Sequence, residues 1–347
     1  MSIERLRVNE EASSLNLYNR HDDAPSSRDI VRYVLPFVVI SAIVTVTAFV
    51  GSTFSGALSC SSTGYRDGYY MAYCTSPAFG DYEHGALFYN LEPGIEKNLP
   101  QSELLFLGDS QAQTGFSGQG LRSLLDREKV KYYILGFGYG ESEGFIVELL
   151  KRWAAHPKVI VINIDPFFHG YFSQVGMDVL SRRFAVRMHY TTLQMFERFQ
   201  RSFCSSLPAL CPDTWTAVYR SANDGHWEWS IAWAYPPLQV KIDPAKQNRI
   251  DDGSAAVYRA EALKFVEASG LRPECIVFTG VPNGNQDSPY MATKIGEGLG
   301  VRVITPKVDN LSTFDTAHLN FESADRWSAA FATELEPVIA HCIGSSH

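Results

Sequence analysis

The sequence predicts an α/β protein with a parallel sheet, carried on one N-terminal transmembrane helix. Three observations predict it. Short apolar runs alternate with helical segments from about residue 101; residues 33–50 form an uncharged apolar run; and all six cysteines lie after that run. The chain has 347 residues, 45% of them apolar and 20% charged, which is a globular composition with ample material for a core. A net charge of −8 and the lack of any Lys/Arg-rich run leave no electrostatic footprint for nucleic acid.

Residues 1–30 are polar and mixed in charge, a tail ahead of the span at 31–51. The span has close to the roughly 20 apolar residues a bilayer crossing needs. Arg5, Arg7, Arg20, Arg28 and Arg32 stand before or at its start, and the next basic residue is Arg66. The positive-inside rule then keeps the N-terminus cytoplasmic and exports the rest. The long leader and the lack of a small-x-small cleavage site favour an uncleaved anchor over a signal peptide. Cysteines confined to the exported side fit an oxidising compartment, and proximity pairs Cys60 with Cys74 and Cys204 with Cys211, leaving Cys275 for Cys342.

Residues 52–100, rich in Gly, Ser, Tyr and Pro, read as an irregular stem clipped by a disulfide. Strands are expected at ELLFL (103–107), YYILGFG (132–138) and KVIVINI (158–164), with helices at 120–128 and 141–156 between and after them. Residues 166–250 interrupt the alternation as an insertion that holds amphipathic helix and the aromatic run HWEWSIAWAY. The alternation resumes with a helix at 255–270, a strand at 274–281, a helix at 291–300, a strand at 301–306 and a last helix at 322–339. Apolar strands separated by helices imply a parallel sheet covered on both faces, with ligands outside the carboxyl ends of the strands.

Gly108-Asp109-Ser110 stands at such an end. These residues form turns readily, but a serine there also invites a search for a base. Asp315-Thr316-Ala317-His318 follows the last strand and precedes the last helix. A carboxylate three residues before a histidine on one loop reaches Nδ1 and leaves Nε2 for a serine. The nine histidines are otherwise scattered, and no C-x-x-C pair or His cluster marks a metal site.

Gly108-Asp109-Ser110, Gly140 in LGFGYGES and the Asp315/His318 pair occur in the order, and at the strand ends, that resemble the SGNH (GDSL-type) hydrolase superfamily. The resemblance spans about residues 101–342. It implies a three-layer α/β/α flavodoxin-like fold for a catalytic domain at 101–347. It implies Ser110 as nucleophile, His318 as general base and acid, Asp315 as its orienting partner, and the backbone N–H groups of Ser110 and Gly140 as oxyanion donors. The family's Gly-x-Asn-Asp block is replaced by Asn163-Ile164-Asp165-Pro166. Asn163 stands within the strand, and an ionised Asp165 would only accept, so Asn163, Gln111 and Gln113 stay open as a third donor.

The Asp-Pro-Phe-Phe and Gly-Asp-Ser-Gln stretches also resemble the membrane-anchored, exported branch whose members act in polysaccharide O-acetylation and teichoic-acid D-alanylation. That implies an O-acyltransferase, fed by a membrane acyl-donor protein, acting on an exported glycan with no cofactor. Hydrolysis of O-acyl groups and a non-catalytic glycan-binding scaffold are the alternatives. Among the aromatics, Trp229 and Trp233 are candidates for stacking on sugar, and packing of the insertion on the sheet is the competing role.

Overall fold

In the computed structural model the described residues are 27–54, 58, 60, 66–77, 79–165, 167–211, 215–229 and 239–344. Most of the expected tail, together with Trp233 and Tyr235, lies outside them.

Helix α1 (Ser27–Phe54) contains the uncharged run, and its stretch Val31–Ala48 has a mean hydropathy of 1.9 with none of it buried. By length and composition it can cross a membrane. Its residues up to Gly51 belong to one unit, and Ser52–His347 form the other.

In the second unit the elements run β1 (Tyr69–Cys74), β2 (Gly80–Asp81), α2 (Glu83–Tyr89), α3 (Ile95–Asn98), β3 (Leu104–Asp109), α4 (Ser110–Phe116), α5 (Gln119–Arg127), β4 (Tyr132–Phe137), α6 (Glu143–Trp153) and β5 (Val159–Asn163). Next come α7 (Gln174–Leu180), α8 (Phe184–Ser206), β6 (Ala217–Ser221), β7 (Trp227–Trp229) and β8 (Val240–Lys241). The chain ends with α9 (Asp252–Ser269), β9 (Ile276–Thr279), α10 (Ser288–Gly296), β10 (Arg302–Val303), β11 (Ser312–Thr313) and α11 (Phe321–Cys342).

The main sheet is five-stranded and parallel throughout, in the order β10-β9-β5-β3-β4. Its strands are apolar at successive positions because both faces are covered. Leu105, Leu107, Leu135 and Ile162 enter one core; Leu104, Phe106, Ile134 and Val161 enter the other. The chain's direction across the sheet reverses between β3 and β5, and in open α/β sheets that crevice is where ligands bind.

The stem differs from expectation. Residues 69–74 and 80–81 form strands, β1 pairs antiparallel with β6 from the insertion, and β2-β1-β6-β7 make a second sheet. Burial drives this: Tyr70, Met71, Ala72 and Tyr219 are at most 1% exposed. The Gly/Tyr-rich composition that reads as irregular is therefore core-forming strand and helix. Another surprise is α4, which begins at the serine itself. Asp109 caps it, its side chain accepting from the N–H groups of Gln111 and Ala112.

The disulfides pair Cys60–Cys74, Cys204–Cys211 and Cys275–Cys342. The last joins the start of β9 to the end of α11 across 67 residues, a loop whose closure stabilises by about 4 kcal/mol on the chain-entropy account.

Candidate active site

Two features of the local sequence position Ser110. Gly108 leaves room where any Cβ would meet the Cβ of Ala112 at 2.6 Å and that of Asn163 at 3.0 Å, so the strand can turn directly into α4 only through a glycine. Asp109 then caps the helix, which presents Ser110 as its first residue. At the other end of α4, Phe116 packs on Phe106 of the sheet at 4.7 Å between centroids, and on Trp327 and Phe331 of α11 at 5.9 and 5.6 Å. His318 sits just before α11, whose cap Asn320 accepts from Ser323 N–H. One aromatic cluster thus fixes both the helix bearing the serine and the helix that follows the histidine.

The three side chains form a continuous chain. Asp315 Oδ2 lies 2.7 Å from His318 Nδ1, and His318 Nε2 lies 2.7 Å from Ser110 Oγ. The other oxygen of Asp315 accepts the backbone N–H groups of Ala317 and His318 at 3.0 and 2.8 Å. Partial burial works to raise the Asp315 carboxyl, but the His318 hydrogen bond and charge and these two amides outweigh it and hold it below the usual carboxylate range. Phe314 stacks on the His318 ring at 5.5 Å.

Ser110 opens on a pocket of about 270 Å³ walled by Tyr73, Tyr139, Val218, Trp227 and Trp229, with His318 at its rim. Trp229, half-buried at the end of β7, lies 6.0 Å from the His318 ring. The wall also holds Gly138, which follows the β4 residue paired with Asp109. Gly140 is not among the lining residues; it is exposed, at φ +62° with open space around its Cα. The tight stretch Gly136–Gly140 carries three glycines, and register along β3 and β4 selects Gly138 as the one beside the serine. The Gly138 N–H donates to Glu83 Oε1 at 3.2 Å.

Of the open candidates for a third donor, Gln113 has its amide N–H groups engaged, while Asn163 and Gln111 are held through their side-chain oxygens. Asn163 is fully buried and its Oδ1 accepts Val281 N–H at 2.8 Å, so it ties β5 to the end of β9. Its amide nitrogen is buried without a partner, away from the pocket wall. Gln113 spends its amide N–H groups on the carbonyls of Gly136 and Gly225, and Gln111 Oε1 accepts from Asn283. Asp165 is 5% exposed. Burial, and then the charge of Asp109, push its carboxyl well above the usual range. Burial lifts Asp109 as well, and the amides of Gln111 and Ala112 and the charge of His318 offset this only in part.

A buried ionic network beneath the pocket escaped the sequence reading. Arg220, with no exposed surface, donates to Glu83 Oε2 at 2.7 Å and to the carbonyls of Ile134 and Gly136. The Trp227 indole N–H donates to the same Glu83 oxygen at 3.0 Å. Beside it His84 Nδ1 lies 2.8 Å from Asp81 Oδ1, and its Nε2 makes a charge contact with Glu141 at 3.3 Å without hydrogen-bond alignment. Burial alone would lower the His84 pKa, yet Asp81, Glu141 and Glu83 together raise it to about 10. Asp81, Glu83 and His84 bring ligand atoms within 4.8 Å of one another, a spacing that suits a cation. These same atoms already serve Arg220, Trp227 and one another. The sequence signal was present, since Asp81 and His84 have the spacing of Asp315 and His318.

No family model matches the chain, and neither a curated protein nor a solved structure matches it.

Proposed function

We propose that the protein is a serine-dependent acyl-ester enzyme of the cell envelope, with an SGNH-like flavodoxin-type core, that transfers an O-acyl group to an exported glycan through an acyl-Ser110 intermediate. The observation that carries this reading is the Asp315–His318–Ser110 chain, with both links at 2.7 Å. Added support comes from its place at the β3 carboxyl end, next to the reversal in strand order. An apolar helix and three disulfides favour an anchored, exported protein.

In the first half-reaction His318 Nε2 takes the Ser110 proton as Oγ attacks the ester carbonyl. Asp315 holds the imidazole in the tautomer that leaves Nε2 free to accept, and stabilises the imidazolium that forms. The backbone N–H of Ser110 faces the developing oxyanion, where one donor is worth about 10²–10³ in rate. Collapse breaks the ester bond, and His318 returns the proton to the departing alkoxide. In the second half a sugar hydroxyl gives its proton to His318 and attacks the acyl-serine, restoring Ser110. Water in place of the sugar would make the protein an esterase. The aromatic wall of Tyr73, Tyr139, Trp227 and Trp229 favours an acceptor with an apolar ring face.

The test is p-nitrophenyl acetate turnover by wild type, Ser110→Ala and His318→Ala, with and without saccharide. Activity that survives both substitutions overturns the assignment. Release of free acetate alone, with every saccharide supplied, selects the esterase.

A further inference from the structure

We propose that the outward face of α8 docks on the surface of a lipid bilayer that carries anionic headgroups. The inference rests on the reading of α1 as a membrane anchor and is independent of the chemistry at Ser110.

Helix α8 is apolar on two opposite sides. Tyr190, Leu193, Glu197, Gln200 and Cys204 form its buried side. A helix that lays one face on a core ordinarily turns a polar face to water. Here Phe184, Met188, Met195 and Phe199 are between 45% and 79% exposed. At about 100° of rotation per residue, these four fall on one line opposite the buried side. Single exposed apolar side chains are ordinary, but an aligned row marks a surface that something apolar covers.

The charges beside the row say what covers it. Residues 183–206 hold four arginines, Arg183, Arg187, Arg198 and Arg201, against one acid, Glu197. The whole chain has a net charge of −8, so the sign reverses locally at this helix. Glu197 is buried and pairs with Arg201 at 2.8 Å. Arg187 and Arg198 are exposed along one edge of the row, and among the described residues neither forms an ion pair. Arg198 donates to the Leu91 carbonyl at 3.5 Å. An apolar row edged with arginine is the pattern of a helix lying in a membrane interface, with its rings and thioethers in the acyl boundary and its guanidinium groups at the phosphates. Arginine suits that edge because its apolar stem follows the row while its head stays at headgroup level.

Connectivity brings a bilayer within reach. The Gln200 side chain donates to the Cys60 carbonyl at 3.3 Å, and Cys60 is bonded to Cys74 of β1. Cys60 follows Phe54, the last residue of α1, by six residues, a length of chain that spans at most about 20 Å. When α1 crosses a bilayer, the chain therefore tethers α8 within a short distance of that bilayer's surface. A bilayer supplies both the apolar phase and the phosphates, and the tether presents it to this helix.

The test reconstitutes the full-length protein into vesicles of phosphatidylcholine and phosphatidylglycerol. The native cysteines are all in disulfides. A nitroxide label therefore goes onto one added thiol, in Met195→Cys on the row or in Glu267→Cys on the exposed side of α9 as control. Electron paramagnetic resonance then reads how far oxygen and a water-soluble nickel chelate reach each label. The oxygen-to-nickel ratio should be several-fold higher at position 195 than at 267. It should fall when phosphatidylglycerol is left out, and in a chain carrying both Arg187→Gln and Arg198→Gln. Equal ratios at the two labels in inserted protein overturn the docking. A label at 195 shielded from both reagents overturns it too, because that marks a protein contact, a second copy included. A ratio indifferent to phosphatidylglycerol overturns the anionic surface. Release of the chain from the vesicles by alkaline carbonate overturns the anchor reading and this inference with it, whatever the turnover at Ser110.

Discussion

The chain uses one four-residue pattern twice. Asp81-Tyr82-Glu83-His84 and Asp315-Thr316-Ala317-His318 both place a carboxylate on histidine Nδ1, at 2.8 and 2.7 Å. They differ in what stands at Nε2 and in how far water reaches. His84 has no exposed surface, and Glu141 sits 3.3 Å from its Nε2, so a second acid confines the proton. The His318 side chain keeps 14% of its surface exposed, and its Nε2 meets a hydroxyl in a pocket. Two carboxylates make a buried histidine into a fixed cation; one carboxylate and a serine leave an imidazole that can accept a proton and pass it on. The spacing positions the pair, and the third partner decides what the pair does.

Substitution of the two histidines should separate these roles most sharply. His318→Ala or Ser110→Ala is expected to lower acyl-ester turnover by about 10⁴ or more, with Asp315→Asn costing close to 10⁴ through the wrong tautomer. Steady-state kinetics beside a thermal melt checks this, because none of the three should shift the melting transition much. His84→Ala should do the opposite. It strands Asp81 and Glu141 in the core, and loss of one partner from a buried ionic network costs about 3–5 kcal/mol in denaturant unfolding. An inactive but fully stable His84→Ala protein would break the comparison.

Titration sharpens it further. His84 carries its proton in the folded state up to about pH 10 but in the unfolded chain only to about 6.5. Its contribution is complete below pH 6.5 and falls away as the pH rises through 10. Stability of the wild type should slope downward across that window, and the slope should flatten in His84→Gln. Asp165 gives an effect that sets in at lower pH. Its folded pKa is raised, so the penalty appears as the pH rises above the unfolded carboxylate value of 3.8. Asp165→Asn should therefore be more stable than wild type at pH 7 and equal to it near pH 3, as guanidinium midpoints at the two pH values would reveal.

Much of the main sheet was readable because burial on both faces writes itself as unbroken apolar runs, as in ELLFL and VIVI. The parallel strands fell within a residue or two of expectation at β3, β4 and β5. The second sheet was not readable. Tyr69 pairs with Ser221 although β3, β4 and β5 of the main sheet lie between them in the sequence, with an irregularity between Met71 and Tyr73, and no local period announces such a contact. Arg220 resisted for a different reason, since an arginine in a strand reads as a solvent-facing residue until Glu83 is seen beside it. At the site, Ser110, Asp315 and His318 converge because each lies at an element end, where chain order predicts position. Three glycines alternate in LGFGYG, and only pairing with β3 shows that Gly138, rather than Gly140, lines the Ser110 pocket. Asn163 was a candidate by residue type alone; the fold uses its side-chain carbonyl to hold Val281 and buries its amide nitrogen.

The most direct test of the account is to quench wild-type protein during turnover of p-nitrophenyl acetate and map the acetylated peptide by mass spectrometry. An acetyl group on Ser110, absent from Ser110→Ala and discharged when an acceptor is added, is the predicted result. Turnover with Ser110 unmodified, or with the acetyl group on another residue and equal rates in Ser110→Ala, would contradict it.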